Sequence, residues 1–281
     1  MTDSRARFVV TGAGGYLGPH VVAALADRGH EVLAVVRPGS AAVTDPRAIR
    51  VEADILAPDF DVRSWGAPQG IVHLAWQDGF VHNSPAHLGQ LSAHYRLLTA
   101  AAEAGTSRLV VLGTMHEIGY WEGAITAQTP TNPLSQYGIA KDALRRALPL
   151  ALPPETGLAW ARAYYIYGDD RRSNSIFRKI LEAVDAGKTT FPFTSGKNRY
   201  DFIRVEELGR QLAALAEAED ITGTLNCCTG EPMSLADKVE QFIAENDLPI
   251  SLEYGAFPDR PYDSPGVWGD ATVIREVMAR G

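Results

Sequence analysis

The segment "SQYGIAK", residues 135–141, places Tyr137 and Lys141 four positions apart in a polar setting. Residues four apart share one face of a helix, so the phenol and the ammonium can point at the same ligand. A free tyrosine has a pKa near ~10, and a neighbouring positive charge lowers it. A tyrosine tuned in this way can exchange a proton with a carbonyl oxygen. As a lone motif the spacing is weak, and its meaning depends on what else the chain contains.

The segment "TGAGGYLG" predicts a binding loop for a dinucleotide. It follows the apolar run "RFVV" directly and continues into the helical pattern "PHVVAALADRG". Gly12, Gly15 and Gly18 allow a tight turn and a close approach of the backbone to a pyrophosphate, which the helix N-terminus attracts. We expect the loop, including Tyr16 and Leu17, to contact the cofactor. The alternative is a glycine-rich turn that binds nothing.

Arg37 ends the second predicted strand, in "VVRPGS", at the position where an acidic residue binds the ribose hydroxyls of NAD. An arginine there suits the 2′-phosphate of NADP, so the sequence favours NADP, with NAD as the alternative. A solvated loop arginine has the same sequence pattern. Asp54 and Ile55 follow the third strand, where the aspartate can meet the adenine or form a turn.

Thr114 follows the fifth predicted strand, in "RLVVLGTMHEIG". Ligands of open α/β sheets bind at the carboxyl ends of the strands, so its hydroxyl can hold a substrate oxygen beside Tyr137. A plain threonine at a strand end is the alternative. Leu74, Ala75 and Trp76 close the fourth strand, "GIVHLAW", and are predicted to border the cofactor. The tryptophan is equally compatible with a place in the core.

Apolar runs and helical patterns alternate along the chain, which predicts an α/β fold with a Rossmann-type, doubly wound parallel sheet. We expect a dinucleotide-binding domain over residues 1–168. Residues 169–281 are predicted to form a smaller α/β lobe that mainly binds substrate and is partly threaded back onto the main sheet. A long helix is predicted over 87–104, and Asn132 with Pro133 is predicted to cap the helix that carries Tyr137.

The 281 residues are 46% apolar and 21% charged, with a net charge of −8. This charge disfavours nucleic-acid and anionic-membrane partners. The chain has neither an apolar signal segment nor a run long enough to span a bilayer, and no metal-ligand spacing is present. The adjacent Cys227 and Cys228 suit neither a disulfide staple nor a metal site, so we expect a cytoplasmic protein.

Taken in order, these segments resemble the extended short-chain dehydrogenase/reductases, especially the nucleotide-sugar epimerase/dehydratase/reductase branch. "TGAGGYLG" resembles the glycine loop of that family, "IVHLAW" its fourth strand and "YGIAK" its Y-x-x-x-K motif. Further motifs of the family resemble "ARAYYIYG", "RYDFIRVEELGRQL", "LNCCTGEPMSL" and "RPYDSPGVWGDATVIREV". The resemblance covers nearly the whole chain, and several matches in order are far more specific than one.

The resemblance implies roles for individual residues. Tyr137 would be the acid/base, and Lys141 would hold the nicotinamide ribose and acidify Tyr137. Thr114 stands where the family has Ser or Thr. Tyr164 lies where the strand backbone nears the nicotinamide, and Arg260 matches an arginine that contacts the pyrophosphate of a sugar nucleotide.

Four further residues are predicted to touch substrate, although each can also serve a structural or surface role: His82, His116, Asn174 and Arg199. Tyr165 takes the place of an asparagine that contacts substrate in the family, and Gln90 takes the place of an asparagine in the long helix. The dehydratases carry an Asp-Glu pair directly after their Thr, whereas Glu117 comes one step late here. This departure weakens a dehydratase interpretation.

Three hypotheses follow. The first is an NADPH-dependent reductase of a nucleotide-linked 4-keto-6-deoxy sugar. The second is a nucleotide-sugar epimerase that keeps NAD bound. The third is a redox-sensing NAD(P)-binding protein without turnover, which the intact Thr114, Tyr137 and Lys141 set argues against. In the resembling family the long helix and the tyrosine helix pair between subunits, so a homodimer is predicted.

Overall fold

The computed structural model describes residues 5–42, 45–168, 170–259 and 264–280. The predicted substrate residue Arg260 lies outside the described residues. The strands are β1 Arg7–Thr11, β2 Glu31–Val36, β3 Ile49–Glu52, β4 Gly70–His73, β5 Arg108–Thr114, β6 Gly123–Ile125, β7 Gly157–Ala163, β8 Tyr165–Tyr167, β9 Thr190–Pro192, β10 Arg199–Arg204, β11 Gly223–Cys227, β12 Pro232–Ser234, β13 Ser251–Glu253 and β14 Gly266–Gly269. The α-helices are α1 Gly18–Asp27, α2 Ala86–Gly89, α3 Leu91–Glu103, α4 Gln136–Ala147, α5 Ile176–Asp185, α6 Val205–Glu217, α7 Leu235–Glu245 and α8 Thr272–Met278.

Seven parallel strands form the main sheet, in the order β11-β7-β5-β4-β1-β2-β3. Successive side chains of a strand point to opposite faces. Both faces of this sheet pack against helices, as in other parallel sheets. Phe8 and Val10 of β1 pack in the core that contains α1 and α6, while Val9 packs in the core that contains α3. The predicted Rossmann-type sheet is confirmed.

The predicted strand "GLAWARAYYIYG" is wrong as a single element. It divides at Tyr164 into β7, which belongs to the main sheet, and β8, which pairs with β10 in a smaller sheet. The smaller sheet also contains β12, β14 and β6, and β13 pairs with β9 separately. Strand β11 lies beside β7 in the main sheet. The division of the chain at residue 168 stays a proposal.

Two helix predictions need correction. The long helix over 87–104 consists of α2 and α3, which are separated at Gln90, where ψ is 0°. Helix α4 is capped by Ser135, whose hydroxyl accepts a hydrogen bond from the Gly138 amide at 3.1 Å, and not by the Asn132–Pro133 pair. The serine has the extended backbone that an N-cap requires, whereas the earlier pair precedes the first helical turn by three residues. None of the helices within the described ranges is long and apolar enough to cross a bilayer.

Candidate active site

Three strand ends lie at the point where the strand order of the main sheet reverses. β1 ends at Thr11, β4 ends beside it at His73, and β5 continues to Thr114. Helix α4 lies against β5 and against the 3₁₀ turn that follows it, so its first turn brings Tyr137 to the same edge. The carboxyl edge of such a sheet, at this reversal, is where its ligands bind.

Tyr137, Thr114 and Lys141 converge at the end of β5. The Tyr137 hydroxyl forms a hydrogen bond with the Thr114 hydroxyl. The Lys141 ammonium donates to the Leu112 carbonyl at 2.7 Å and lies 3.9 Å from the centroid of the Trp76 ring. Thr114 and Lys141 are buried, and Tyr137 is half-buried. A phenol, an alcohol and an amine thus share a site that excludes most water.

The electrostatics differ from the sequence-based expectation that Lys141 lowers the pKa of Tyr137. Burial raises the pKa of Tyr137 above its ordinary value, the Glu117 charge adds to this, and the Thr114 hydrogen bond acts in the opposite direction. Burial also lowers the pKa of Lys141 to about 7, against the attraction of Glu117. Loss of water disfavours both charged forms, so Tyr137 is a neutral phenol that can donate a proton at neutral pH.

His82 and His116 lie beside the Tyr137 ring. The His82 ring stacks on it with 5.9 Å between centroids, and the two imidazoles are 4.4 Å apart. The His82 carbonyl also accepts the Tyr137 amide at 2.9 Å, which ties the loop after β4 to the start of α4. Burial lowers the pKa of His116 to about 4, with His82 adding to the effect, and burial followed by the charge of His87 lowers that of His82. Both rings are therefore neutral hydrogen-bonding groups at pH 7 beside the phenol.

The glycine loop has the shape that a pyrophosphate requires. Gly12 has φ +71°, and a side chain there would come within 2.7 Å of the Ala75 amide nitrogen. A side chain at Gly18 would come within 2.4 Å of the Gly12 carbonyl, so both positions demand glycine. A side chain at Gly15 would come within 3.1 Å of the same carbonyl, and Gly15 itself is exposed, so an anion can approach its backbone. The residues present therefore fit a dinucleotide.

Tyr16, Leu17, Leu74 and Ala75 occupy different environments around this loop. The Tyr16 hydroxyl donates to the Gly168 carbonyl at 2.5 Å, which joins the loop to the end of β8. Leu17 is buried in the core, while Leu74 and Ala75 are half-buried after β4. The Leu17 side chain is therefore not available to a cofactor, whereas its backbone is.

The turn after β2 carries a positive charge, and the end of the neighbouring strand β3 carries a negative one. The Arg37 side chain is exposed, and no hydrogen bond or ion pair to it is found among the residues that the structure describes. A residue that the sequence did not single out, Glu52 at the end of β3, accepts the Gly39 amide at 3.1 Å and pairs with Arg50 at 2.8 Å. An arginine and a carboxylate thus flank the region where the adenine ribose is expected.

Asp54 and Ile55 follow β3 near this turn. Asp54 is exposed and accepts the Leu56 amide at 3.2 Å, as a turn aspartate does. Ile55 is buried in the core. Its side chain therefore supports the loop, and a contact with the adenine stays a prediction for Asp54.

The sequence interpretation considered Glu117 only as a displaced dehydratase carboxylate and missed its contact with Thr114. Its carboxylate accepts the Thr114 amide at 2.9 Å, the Trp160 indole N–H at 2.8 Å and the Arg162 Nε–H at 2.9 Å, and it is fully buried. With these partners it positions Thr114 and is not free to take a proton from a substrate. The signal was present, because Thr114 followed three residues later by glutamate is a capping box.

A family model described as the NAD-dependent epimerase/dehydratase family matches residues 8–228. The chain belongs to this family. It is therefore an NAD(P)-dependent enzyme of the extended short-chain dehydrogenase/reductase type, as the resemblance implied. Within the described residues, no group of three or more His, Cys, Asp or Glu side chains is arranged to hold a metal ion.

A relative from Aggregatibacter actinomycetemcomitans, dTDP-6-deoxy-L-talose 4-dehydrogenase (NAD(+)), is 43% identical over 270 residues. The match covers 93% of this chain and 98% of the relative. A solved structure of MoeE5 in complex with UDP-glucose and NAD is 25% identical, with a TM-score of 0.79 over 97% of this chain and 92% of that one. The UDP-N-acetylglucosamine 4-epimerase of Methanobrevibacter ruminantium is 20% identical, with a TM-score of 0.83 over 97% and 92%, and shows the fold alone.

Three of the predicted substrate residues, Tyr165, Asn174 and Arg199, have other partners in the structure. Arg199 donates to the Pro232 carbonyl at 2.8 Å, and Asn174 accepts from Arg178 at 3.4 Å. The Tyr165 ring packs 4.3 Å from the Tyr200 ring. Contacts of these three residues with a substrate stay predictions.

The Tyr164 side chain lies between the edge strand β11 of the main sheet and β14 of the smaller sheet. It is buried, and its hydroxyl donates to Asn226 Oδ1 at 3.1 Å. A side chain at Gly269 would come within 2.9 Å of the Tyr164 ring. The ring thus fills the contact between β7 and the smaller sheet, so the predicted approach to the nicotinamide is left to the Tyr164 backbone.

Proposed function

We propose that this protein interconverts the C4 carbonyl and the C4 hydroxyl of a dTDP-linked 6-deoxyhexose. The observation that carries the proposal is the likeness to dTDP-6-deoxy-L-talose 4-dehydrogenase (NAD(+)), which is 43% identical over 98% of its length. The convergence of Tyr137, Thr114 and Lys141 supplies the chemistry. Reduction of the keto sugar is the direction we propose, and the protonated Tyr137 that burial favours is the form that donates a proton in it.

In the reductive direction, C4 gains a hydride and its oxygen gains a proton. A nicotinamide dinucleotide, once bound on the glycine loop, supplies the hydride. Tyr137 releases its proton to the C4 oxygen, and the Thr114 hydroxyl holds that oxygen by a hydrogen bond. Lys141, as the ammonium, stabilises the phenolate that remains until solvent returns a proton.

Two other activities of related enzymes are less well supported. A dehydratase needs free carboxylates, whereas Glu117 is held by three donors. An epimerase is the second candidate, because the description of the matching family includes epimerases. An epimerase should be purified with stoichiometric bound NAD, whereas a reductase should be purified with little bound cofactor. A sensor without turnover would bind NAD(P) and show no oxidation with any sugar.

The deciding experiment is a panel of dTDP-linked and UDP-linked sugars, preceded by a spectrum of the protein as isolated. We expect the dTDP-linked 4-keto-6-deoxy sugars to cause oxidation of the reduced cofactor, and the fully hydroxylated UDP sugars to cause none. The reverse reaction, with the 6-deoxyhexose and the oxidised cofactor, should return the same keto sugar. Epimerisation of a UDP sugar without net redox change would contradict the proposal.

We propose NAD(H) as the preferred cofactor, although Arg37 favours NADP(H). The relative carries NAD(+) in its name, and the Glu52 carboxylate bonded to the Gly39 amide would repel a 2′-phosphate. We expect a higher kcat/KM for NADH than for NADPH, and we expect Glu52→Gln to raise the NADPH value about tenfold. The matched change Arg37→Ala should leave the NADH value unchanged. A wild-type preference for NADPH that Arg37→Ala abolishes would restore the interpretation drawn from the sequence.

We propose a homodimer formed through α3 and α4. Tyr95 on α3 is 37% exposed and Ile139 on α4 is 44% exposed, so both helices present apolar side chains to solvent. Sedimentation should give twice the chain mass of 30.4 kDa. Tyr95→Glu should shift the protein towards monomer, whereas Val273→Glu, at an exposed position of α8, should not. A wild-type particle of one chain mass would refute this arrangement.

We also propose a cytoplasmic location. Cys227 and Cys228 are free thiols and both are buried. Burial raises the pKa of both thiols, and neither is paired in a disulfide, as expected of a protein in a reducing compartment. Cell fractionation with antibody detection tests the location directly.

A further inference from the structure

The environment of Lys141 contains an unusual partner. The side chain is 1% exposed, and its ammonium has one hydrogen bond described, to the Leu112 carbonyl. The second contact is the π face of Trp76, whose centroid lies 3.9 Å from Nζ. An ammonium at this distance from an indole is attracted to the negative ring face, and more strongly where water is excluded.

Trp76 is fixed on its other sides by two histidines. Its indole N–H donates to His87 Nδ1 at 2.9 Å, so His87 must carry its proton on Nε2, which donates to the Val81 carbonyl at 2.9 Å. The His94 ring stacks on Trp76 with 4.4 Å between centroids and 13° between planes. The indole can therefore neither rotate nor slide without breaking a hydrogen bond or a stacked contact.

The histidine that stacks on Trp76 is anchored to β1. His94 Nδ1 lies 3.0 Å from His73 Nε2, and His73 Nδ1 lies 2.8 Å from the Thr11 hydroxyl. The Thr11 hydroxyl also accepts the Ala75 amide at 3.4 Å, and either neutral tautomer of His73 can bridge Thr11 and His94. A continuous chain of contacts thus leads from the residue before the glycine loop to the ring beneath Lys141.

We propose that Trp76 is a positioning residue for Lys141: the indole face stabilises the ammonium and holds it at the end of β5, beside Tyr137. The inference rests on the role of Lys141 in the proposed function. It gives Trp76 a task different from the cofactor contact predicted from sequence. A leucine at this position would fill part of the space and leave the charge without its π partner.

Among the titratable groups around Lys141, only Glu117 carries a charge that stabilises the ammonium, which makes the contact with Trp76 important. Burial lowers the pKa of Lys141 to about 7, so the charged and neutral forms are closely balanced and one added attraction shifts the balance. Burial lowers the pKa values of His73, His94 and His116, so these rings are neutral, as is Tyr137. His87 contacts the indole N–H of Trp76 through Nδ1 and is not among the groups whose charge acts on Lys141. Glu117 alone among them is an anion that attracts Lys141, and three donors already surround it.

The test is a direct titration of Lys141 by NMR in protein labelled on lysine side chains. The chain has five lysines, so Lys141 can be assigned from the spectrum of a Lys141→Met variant. We expect Trp76→Leu to lower the pKa of Lys141 by about one unit, and Trp76→Phe to restore most of the shift. The control Trp268→Leu, on strand β14, should leave it unchanged. An unaltered Lys141 titration in Trp76→Leu would overturn the proposal.

Fluorinated tryptophan keeps the test decisive if Trp76→Leu does not fold. Ring fluorination weakens the π face without changing its shape, so the pKa of Lys141 should fall stepwise with the number of fluorines. Lys238 serves as an internal control, because its ammonium lies 3.8 Å from the Tyr167 ring, which the label does not alter. Equal shifts of Lys141 and Lys238, or none at Lys141, would contradict the role of Trp76.

These readouts need neither substrate nor turnover, so they separate this inference from the proposed function. If no dTDP-linked sugar oxidises the cofactor and the Lys141 titrations still shift as expected, the role of Trp76 is supported and the proposed reaction is wrong. Where turnover is found, the alkaline limb of the pH–rate profile should move to lower pH in Trp76→Leu, because the ammonium form is then lost earlier. Trp76→Phe should move it back.

Discussion

Replacing Tyr137 with phenylalanine is expected to lower kcat by about 10² to 10⁴, because general acid–base catalysis contributes this much. The substitution removes only the hydroxyl that bonds to Thr114, and the ring keeps its place against His82 and Trp76. Cofactor binding depends on the glycine loop and should stay within about twofold. Steady-state kinetics at saturating substrate and fluorescence titration with the dinucleotide measure the two effects separately.

The matched control is Tyr120→Phe. Tyr120 is exposed and its hydroxyl bonds to Glu122, so the same atom is lost from an exposed side chain. Its kcat should equal that of the wild type. Unchanged turnover in Tyr137→Phe would contradict the proposed mechanism, whereas loss of both turnover and cofactor binding would indicate damage to the fold.

The parts of this molecule that follow local rules could be predicted from the sequence. Gly12 and Gly18 are glycines because a side chain would collide with the backbone, and that requirement is visible as a spacing after an apolar run. The i, i+4 relation of Tyr137 and Lys141 is likewise a property of one helix. Both features depend on neighbours in the chain, so the glycine loop and the shared helix face of Tyr137 and Lys141 could be predicted.

Features that depend on distant partners could not be predicted in this way. The strand "GLAWARAYYIYG" looks continuous because every residue in it is suited to a strand, yet it changes sheets at Tyr164 to pair with β10. The carboxylate of Glu117 meets Trp160 and Arg162 some 40 positions later. Such contacts exist only once the strands are side by side, so no local pattern announces them.

The raised pKa of Tyr137 could not be predicted for the same reason. The sequence shows that a lysine lies one turn away, which predicts a lowered pKa. Burial by loops from β4 and β5 opposes this, and burial is the larger effect in the folded protein. Desolvation is a property of the whole assembly around a group, so it cannot be judged from the helix that carries it.

The largest effect on stability is expected from Arg162→Met. The variant would leave the fully buried Glu117 carboxylate without its closest positive partner, and breaking a buried pair in this way costs about 3–5 kcal/mol. Arg145 lies 3.6 Å from the same carboxylate and offsets part of the loss. Urea denaturation followed by circular dichroism, at one fixed protein concentration, measures the change in the free energy of unfolding. Glu182→Gln, which breaks the exposed pair with Arg178, should produce a change too small to resolve.

The double variant Glu117→Gln with Arg162→Met distinguishes the cost of an unpaired charge from the loss of a packed side chain. If the carboxylate is the cause, making it a neutral amide recovers a large part of the stability that Arg162→Met alone loses. The amide can still accept the Thr114 N–H, so the position of Thr114, and with it some turnover, should return as well. A double variant as unstable as the sum of the two single variants would assign Arg162 to packing. Thr114 would then owe its position to the strand and not to the ion pair beneath it.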